Sequence, residues 1–206
     1  MTSTPDFEDE RVFAALPRHD DDAMARLQAA LASKAQQEGI LDLAYRTVDT
    51  PVGSLLLAAT EQGLVKIAYA VQDHTAVLRQ LSDTVSPRVL LAPARLDEPA
   101  RQIDAYFAGR RTHFDLPLDW RLSKGFRRDV LSHLRQIGYG STQSYAQVAL
   151  AAGSPRAVRA VGTACATNPL PLVVPCHRVV RSDGAAGQYV GGKDAKNILL
   201  TLEAAA

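Results

Sequence analysis

An apolar segment near the C-terminal end of the sequence contains a cysteine, and this combination limits the folds that the chain can adopt. The apolar run 170–174 precedes Pro-Cys-His-Arg at 175–178, and Val179 and Val180 follow. Short apolar runs rich in β-branched residues are typical of segments inside a protein. Cysteine is a good nucleophile only as a thiolate, and the next residue, His177, can accept a proton. The pattern therefore predicts a core organised around Cys176 and an adjacent imidazole.

The composition is that of an ordinary globular protein. The 206 residues, 47% hydrophobic and 22% charged, suffice for one large domain or two small ones. The sequence shows no signal-peptide pattern, and no apolar run approaches the ~20 residues of a membrane span. Cys165 and Cys176 are the only cysteines, which argues against a disulfide framework and a four-thiolate zinc site and for a reducing, cytoplasmic location. No metal or organic cofactor is implied.

Charge is distributed unevenly along the chain, although the formal net charge is only +1. From Arg121 onward there are 11 Lys and Arg against 4 Asp and Glu, whereas the first 120 residues hold 12 against 18. A basic C-terminal half suits a face that binds a polyanion such as nucleic acid. The alternatives are a chance division of charge and simple attraction between the two halves.

Changes in pattern divide the chain into three regions. Residues 1–40 form a partly helical N-terminal extension, with a helix expected over 23–37. Residues 41–118 have the pattern of an α/β scaffold domain, with helices predicted over 73–82 and 96–107 and strands over 45–48, 54–58, 64–69 and 112–116. Residues 119–206 are expected to be mostly helical and to hold the reactive segment.

The third region contains a helix followed by two linked helix starts. Ser123 is a suitable N-cap for the first helix, in which apolar residues recur at helical spacing. Ser144 and Gln147 have the spacing of a capping box, and Ser154-Pro155 would place proline at the first position of the next helix. The pattern predicts a helix-turn-helix.

The second helix of this pair has two different faces. One is small and apolar and should meet the core, with the glycine allowing close approach: Val158, Val161, Gly162 and Cys165. The other is basic, hydroxylic and small: Arg156, Arg159, Ala160, Thr163 and Thr167. Such a face can lie close to a phosphodiester backbone. A solvated amphipathic helix is the alternative.

The sequence around Cys176 also resembles a known signature. The string Asn168-Pro-Leu-Pro-Leu-Val-Val-Pro-Cys-His-Arg-Val-Val180 is similar to the active site of the O6-alkylguanine-DNA alkyltransferase family. The resemblance implies a ribonuclease-H-like α/β N-terminal domain and a mostly α, winged-helix-like C-terminal domain for DNA binding and alkyl transfer. It implies direct DNA repair, in which the cysteine irreversibly takes the alkyl group of O6-alkylguanine in one turnover. O4-alkylthymine is a candidate second substrate.

The resemblance assigns the second helix of the pair to the minor groove of DNA. Arg159 matches an arginine that fills the space of a flipped-out nucleotide. Further DNA contacts are expected from Arg156, Ser144, Ala160, Gly162 and Thr163. Recognition by shape and backbone suits a protein that must find one lesion in any sequence. The implied partner is double-stranded DNA carrying alkylated guanine, bound by a monomer, with cooperative assembly left open.

Alkyl transfer to sulfur needs a thiolate and a proton donor for the departing purine. His177 is the obvious base, but neighbours in a strand point to opposite faces, so direct contact with Cys176 is not expected. The resemblance implies a bridging water, with Glu203 orienting the histidine. It makes Tyr145 the donor to ring nitrogen N3 and Asn168 the tie between recognition helix and active-site turn. The alternatives are that Glu203 is a surface carboxylate, that Tyr145 serves only in packing, and that His177 is a buried structural histidine.

The walls of the substrate pocket follow from the same resemblance. The matching positions are Pro171, the backbone of Val179, Tyr189, Val190 and Gly191. Val190 stands where some relatives carry a serine that hydrogen-bonds guanine O6, which leaves only its backbone N–H for that bond. We therefore expect the rate, or the preference for bulky adducts, to differ. The glycine-rich loop 182–193 lacks the Lys-Ser/Thr pair of a nucleotide P-loop.

Two rival functions are distinguishable in principle. A non-catalytic protein that binds alkylated bases would have the nucleophile replaced, whereas Cys176 is present. A thiol hydrolase using Cys176 and His177 on an unrelated fold would turn over many times and would not need Arg159.

Overall fold

The computed structural model describes residues 21–204. Residues 1–20, which are half of the predicted N-terminal extension, and residues 205–206 lie outside this range. The helices and strands, in chain order, are α1 Asp21–Gln37, β1 Leu43–Val48, β2 Leu55–Thr60, β3 Gly63–Tyr69, α2 His74–Thr84, β4 Val89–Leu91, α3 Asp97–Phe107, α4 Gly125–Leu134, β5 Gln143–Ser144, α5 Tyr145–Ala151, α6 Val158–Ala166, β6 Val179–Val180 and α7 Gly192–Ala204.

The N-terminal half is built on a four-stranded sheet of order β3-β2-β1-β4. The first three strands form antiparallel hairpins, and β4 pairs in parallel with β1 at the edge. Every residue of β2 is buried, because the sheet is covered on both faces. Since side chains alternate along a strand, Leu55 and Leu57 join the core that includes α3, whereas Leu56 and Ala58 pack with the buried residues of α2.

Two details of this half differ from the sequence prediction. The predicted strand 112–116 is wrong, because the chain there makes no ladder and pairs only afterwards, through a single bridge between Leu118 and Leu64. Gly63 lies in the left-handed region, and a Cβ there would stand 2.3 Å from the Pro117 carbonyl oxygen, so this crossing requires glycine. Strand β4 was not predicted, since it is three residues long and its partner strand is distant in sequence.

Helix α1 extends slightly beyond the predicted range 23–37. It rests on the body through two small side chains, Ala32 and Ala35, which are buried. Its larger apolar side chains are exposed instead: Met24, Leu27 and Leu31.

The C-terminal half contains the predicted helix-turn-helix, formed by α5 and α6. The capping box is confirmed, because Ser144 Oγ accepts a bond from Gln147 N at 3.2 Å and Gln147 Oε1 accepts one from Ser144 N at 2.7 Å. A short parallel ladder joins β5 to β6. This ladder places the start of α5 beside the segment that follows Cys176.

The other helix starts were predicted wrongly by a few residues. Lys124, not Ser123, occupies the N-cap of α4, and Ser123 is buried instead. Ser154-Pro155 forms a turn, in which Ala157 N donates to Ser154 O at 2.8 Å, and α6 begins only at Val158. Val158, the first residue of α6, is 37% exposed, so the prediction that it packs in the core is wrong.

The two halves meet through hydrogen bonds that position the reactive segment. Ile67 N of β3 donates to Pro169 O at 2.8 Å. Tyr69 and Tyr189 join their hydroxyls at 2.8 Å, and a Cβ at Gly191 would stand 2.7 Å from the Tyr69 ring. The predicted fold class, an α/β half followed by a mostly helical half with a helix-turn-helix, is confirmed.

Candidate active site

Cys176 begins a short 3-10 turn, Cys176–Arg178, and is 2% exposed. The expectation that Cys176 and His177 lie in a strand is wrong, because strand β6 starts only at Val179. Burial raises the pKa of Cys176 to about 11, although the Asn168 hydrogen bond and the charge of Lys196 act against this rise. The resting Cys176 side chain is therefore a thiol, and it would become a good nucleophile only after losing its proton.

Asn168 holds the turn that leads to the cysteine. Its amide nitrogen Nδ2 donates to the Val174 carbonyl at 2.9 Å and to Cys176 Sγ at 3.1 Å, and its Oδ1 accepts from Leu170 N at 3.0 Å. Within this turn Leu172 has φ +73°, a conformation that is costly for a residue with a side chain. One buried amide therefore fixes both a strained turn and the position of the sulfur.

His177 is fully buried and is oriented by Glu203, with Nε2 and Oε1 2.9 Å apart. Burial lowers the pKa of His177, which favours the neutral ring, although Glu203 opposes this shift. A carboxylate can only accept a hydrogen bond, so Nε2 carries the proton and Nδ1 holds the basic lone pair. Within residues 21–204, Nδ1 has no hydrogen-bond partner. The ring is thus arranged to accept a proton at Nδ1.

Glu203 joins four neighbours although it is 2% exposed. Arg178 donates to it through Nε at 2.9 Å and Nη2 at 2.8 Å, Tyr106 through its hydroxyl at 2.7 Å, and Gly140 through its backbone N at 3.3 Å. Burial by itself would raise the pKa of Glu203, but the bonds from His177 and Arg178 outweigh burial and lower it to about 2. The carboxylate is therefore ionised at neutral pH.

Three members of this cluster were not assigned by the sequence. Arg178 stands inside the recognised motif, but nothing in the motif indicates that its partner is Glu203. Tyr106 comes from α3 in the other half of the chain. Lys196 lies on α7 on the same buried face as Leu199 and Glu203, a helical spacing that could have revealed it.

The remaining predicted residues surround this centre. Tyr145 is half-buried at the start of α5, and its hydroxyl would be 3.1 Å from a Cβ on Gly187 of the glycine-rich loop. Burial, with contributions from Cys165 and Cys176, raises the pKa of Tyr145. The predicted pocket walls are buried or half-buried: Pro171, Val179, Tyr189, Val190 and Gly191. Their assignment to a pocket stays a prediction.

The outward face of α6 is free for contact with a partner. Its exposed residues include Arg159, Ala160 and Thr163, with Arg156 in the turn before. A Cβ at Gly162 would meet nothing within 4 Å, so this glycine is not needed for close packing against the core, contrary to the sequence prediction. Ser144, whose hydroxyl caps α5, is half-buried.

Fold and site together define a two-domain protein in which a helix-turn-helix domain carries a buried cysteine beside a histidine that a carboxylate orients. Both halves match family models: residues 43–120 match the 6-O-methylguanine DNA methyltransferase ribonuclease-like domain, and residues 125–205 match the DNA binding domain of the same family. The chain belongs to the 6-O-methylguanine DNA methyltransferase family.

Named relatives and solved structures agree with this assignment. The chain is 42% identical over 159 residues to a methylated-DNA–protein-cysteine methyltransferase of Mycolicibacterium paratuberculosis, covering 77% of this chain and 91% of the relative. It is 38% identical over 160 residues to the constitutive enzyme of that name from Bacillus subtilis, covering 77% and 94%. The crystal structure of Mycobacterium tuberculosis OGT in complex with DNA superposes with a TM-score of 0.67 at 36% identity, covering 79% and 93%.

Two features are absent from the described part of the chain. No helix in residues 21–204 is long and apolar enough to cross a membrane. The same residues contain no group of three or more His, Cys, Asp or Glu side chains that could hold a metal ion.

Proposed function

We propose that this protein repairs DNA by transferring the alkyl group of O6-alkylguanine in duplex DNA to Cys176, once per molecule. The observation that carries the proposal is the buried thiol in contact with Asn168 and next to a histidine that Glu203 orients. The relatives named methylated-DNA–protein-cysteine methyltransferase support the activity, and the solved DNA complex supports DNA as the partner. A non-catalytic lesion binder is less consistent with an intact cysteine site.

The chemistry is a displacement at the alkyl carbon. Cys176 loses its proton through a bridging water to His177 Nδ1, and Glu203 stabilises the imidazolium that forms. The sulfur forms a bond to the alkyl carbon while the carbon–oxygen bond breaks, and its electron pair moves onto the purine. Tyr145 donates a hydrogen bond to ring nitrogen N3 as the purine becomes basic. The departing guanine anion takes up one proton, which balances the proton that Cys176 gave to His177, and guanine is restored. The thioether left on the protein has no leaving route, which ends the reaction after one turnover.

The DNA face follows from the exposed side of α6. Arg159 occupies the space that the flipped nucleotide leaves, while Arg156, Ser144, Ala160, Gly162 and Thr163 contact the minor groove and backbone. Base flipping is required because O6 of a stacked guanine cannot reach a thiol that is 2% exposed. The protein acts as a monomer in the cytoplasm under this proposal, with O4-alkylthymine as a second substrate.

The flipped base would be held between Tyr145 and the glycine-rich loop. Pro171, the Val179 backbone, Tyr189 and Gly191 form its walls, and the backbone N–H of Val190 faces guanine O6. Because Gly187 packs close to the Tyr145 hydroxyl, entry of the base requires this loop to move outward.

The first test is stoichiometric labelling with duplex DNA containing O6-methylguanine. We expect one methyl group per protein, located on Cys176 by mass spectrometry, and none in Cys176→Ser. Cys165→Ala is the matched control and should be labelled like the unchanged protein, since Cys165 is a buried packing residue of α6. Lesion repair that leaves Cys176 unmodified, or that proceeds through many equivalents, would refute the proposal.

A second test separates DNA handling from chemistry. Arg159→Ala should slow repair of methylated duplex far more than reaction with a free benzylated guanine, because only the duplex requires base flipping. Single-turnover rates on the two substrates give the comparison. An equal loss on both substrates would count against a role for Arg159 in flipping.

A further inference from the structure

A groove between the two halves of the molecule contains two cations that the proposed chemistry does not use. It has a volume of about 400 Å³ and lies between α2 and the start of α4, where β3 and residues 166–169 complete its lining. Its polar lining includes amides, hydroxyls and the two cations: Lys66, Gln72, Gln80, Thr84, Arg127 and Thr167. None of the described residues that line it is acidic. This cationic groove is therefore suited to an anion.

Lys66 faces the cationic groove from the sheet. It stands opposite Ala58 in the ladder between β2 and β3, and opposite residues of a ladder share a face. Because Ala58 packs with the buried residues of α2, Lys66 projects toward α2 as well. It is half-buried, yet within residues 21–204 its ammonium takes part in no salt bridge and no hydrogen bond.

Arg127 approaches the cationic groove from α4. One nitrogen of its guanidinium, Nη2, donates to the Leu122 carbonyl, which fixes the side chain. Among the residues that the structure describes, it has no carboxylate partner. Burial and the charge of Arg127 both lower the pKa of Lys66. The two positive charges therefore destabilise each other, and an anion in the groove would offset their repulsion.

The cationic groove continues the outward face of α6. Thr163 Oγ1 donates to the Arg159 carbonyl at 3.2 Å, and Thr167 Oγ1 donates to the Thr163 carbonyl at 2.8 Å. Arg159, Thr163 and Thr167 thus follow one another in a single row along the helix. All three are exposed, and Thr167 also lines the groove. The row that is proposed to contact DNA therefore leads from Arg159 to the two cations.

We propose that the cationic groove binds a backbone phosphate of the duplex that lies on α6, so that Lys66 extends the DNA-binding surface from the helix-turn-helix onto the N-terminal half. The inference rests on the proposed function, because DNA on α6 is part of that proposal. The guanidinium of Arg127 suits a phosphate, since it can donate two parallel hydrogen bonds, and Lys66 adds a point charge. Such a contact fixes the position of the duplex without reading its sequence.

The geometry of α6 limits which phosphate is bound. Thr167 follows Arg159 by eight residues, which is about 12 Å along a helix that rises about 1.5 Å per residue. Phosphates of one strand follow each other about every 3.4 Å along the duplex axis. Allowing for the length of the lysine side chain, the bound phosphate should lie no more than about five base steps from the flipped nucleotide.

A purely structural role is the competing explanation. The carbonyls at the C-terminal end of a helix carry a partial negative charge, and α6 ends beside the groove, so cations there would stabilise the fold without DNA. The two explanations differ in salt dependence. A phosphate contact displaces counterions from DNA and makes binding more sensitive to salt, whereas a structural role changes only the free energy of unfolding.

The first experiment measures binding of a duplex containing O6-methylguanine by fluorescence anisotropy at several salt concentrations. All proteins carry Cys176→Ser, so that the lesion is bound without being consumed. Lys66→Gln and Arg127→Gln each remove a cation of the groove, and Lys66→Arg keeps it. Arg79→Gln is the matched control, because Arg79 is exposed on α2 and does not line the groove.

We expect Lys66→Gln and Arg127→Gln each to reduce the slope of log affinity against log salt by about 0.9. A fourfold rise in salt should therefore weaken their binding about 3.5-fold less than that of the Cys176→Ser parent. Lys66→Arg and Arg79→Gln should keep the slope of the parent. Urea denaturation checks the fold of each variant. An unchanged slope in Lys66→Gln and Arg127→Gln, with or without a loss of stability, would overturn the proposal.

The second experiment locates the phosphate. Each phosphate near the lesion is replaced in turn by an uncharged methylphosphonate. At one position, no more than about five base steps from the lesion, the replacement should weaken binding of the Cys176→Ser parent but not of the protein that also carries Lys66→Gln. If no position behaves in this way, the groove holds no DNA phosphate, which includes the case of a site for a small free anion. Failure of the proposed function would appear separately, as no methyl uptake by the unchanged protein from the same duplex.

Discussion

Strand β2 and the segment 168–180 are both completely buried, yet they achieve this in opposite ways. Apart from Thr60 at its end, β2 consists of leucine and alanine, and each side chain lies in one of two apolar cores. Segment 168–180 is equally inaccessible but carries an amide, a thiol, an imidazole and a guanidinium: Asn168, Cys176, His177 and Arg178.

The difference shows what each kind of burial costs and achieves. Removing a leucine side chain from water stabilises the fold by about 1.5–3 kcal/mol without further conditions. A buried charge lowers stability unless a partner is present, and here each partner is provided by another element: α3 gives Tyr106, and α7 gives Lys196 and Glu203. Strand β2 thus contributes to the stability of the fold. Segment 168–180 depends on that stability, which keeps its polar side chains away from water and in fixed positions.

Breaking the buried ion pair should have the largest effect on stability. Arg178→Met leaves the Glu203 carboxylate without its cation, so we expect the free energy of unfolding to fall by about 4 kcal/mol. Leu57→Ala in β2 is the apolar counterpart and should cost about 3 kcal/mol. Urea denaturation at neutral pH measures both.

A double variant distinguishes loss of charge compensation from loss of packing. Adding Glu203→Gln to Arg178→Met removes the unpaired charge, so it should restore part of the lost stability. If Arg178→Met lowered the free energy of unfolding by less than about 1 kcal/mol, or if the double variant were no more stable than Arg178→Met, the Arg178–Glu203 pair would contribute no more than an exposed ion pair.

Acid should weaken the charged region and spare the apolar one. The pKa of Glu203 is about 2 in the folded protein, against an ordinary value of 4.5. A lowered folded-state pKa gives stability that is present above pH 4.5 and is lost as pH falls toward 2, by about 3 kcal/mol. Unfolding free energies between pH 6 and 2 should therefore fall less steeply in Glu203→Gln. In Leu57→Ala the unfolding free energy should fall with pH as steeply as in the unchanged protein. If it fell equally steeply in Glu203→Gln as well, Glu203 would not be the source of the acid sensitivity.

The smallest effect is expected at the one polar side chain of β2. Thr60 Oγ1 donates to the buried Asp119 carboxylate at 2.6 Å. Thr60→Val removes this bond and the one that Thr60 Oγ1 accepts from Gln62 N at 3.2 Å. It should cost about 1 kcal/mol, because Arg121 still pairs with Asp119. Thr60→Ser keeps the hydroxyl and is the control. If the two variants unfolded at the same urea concentration, the bond would contribute nothing measurable.

The parts of the fold that local patterns determine could be predicted from the sequence. The hairpin strands were predicted within a few residues, and the Ser144–Gln147 capping box was confirmed because its partners are three positions apart. The strand expected at 112–116 failed because an extended conformation needs a neighbour, which those residues lack. Helix α6 starts late because Ser154-Pro155 closes a turn instead, and both conformations suit that dipeptide.

The active site divides in the same way. Cys176 and His177 were evident from their motif, and Glu203 from resemblance, although the roles given to them stay predictions. Tyr106 could not have been found, because its bond to Glu203 joins positions 97 apart and nothing in α3 distinguishes it from a core tyrosine. Long-range pairing of buried polar groups is decided by how the halves pack, which no local pattern records.

The hydroxyl bond from Tyr106 to Glu203 has a consequence for anyone who would cut this protein into parts. A fragment starting near residue 119 would retain the cysteine, the histidine and the whole helix-turn-helix, yet its carboxylate would lose a donor and its glycine-rich loop would lose the Tyr69 ring beside it. Fusing that fragment to another protein would thus transfer Cys176 without the contacts from the N-terminal half that position its neighbours. The N-terminal half therefore contributes to the candidate active site as directly as the C-terminal half that carries Cys176.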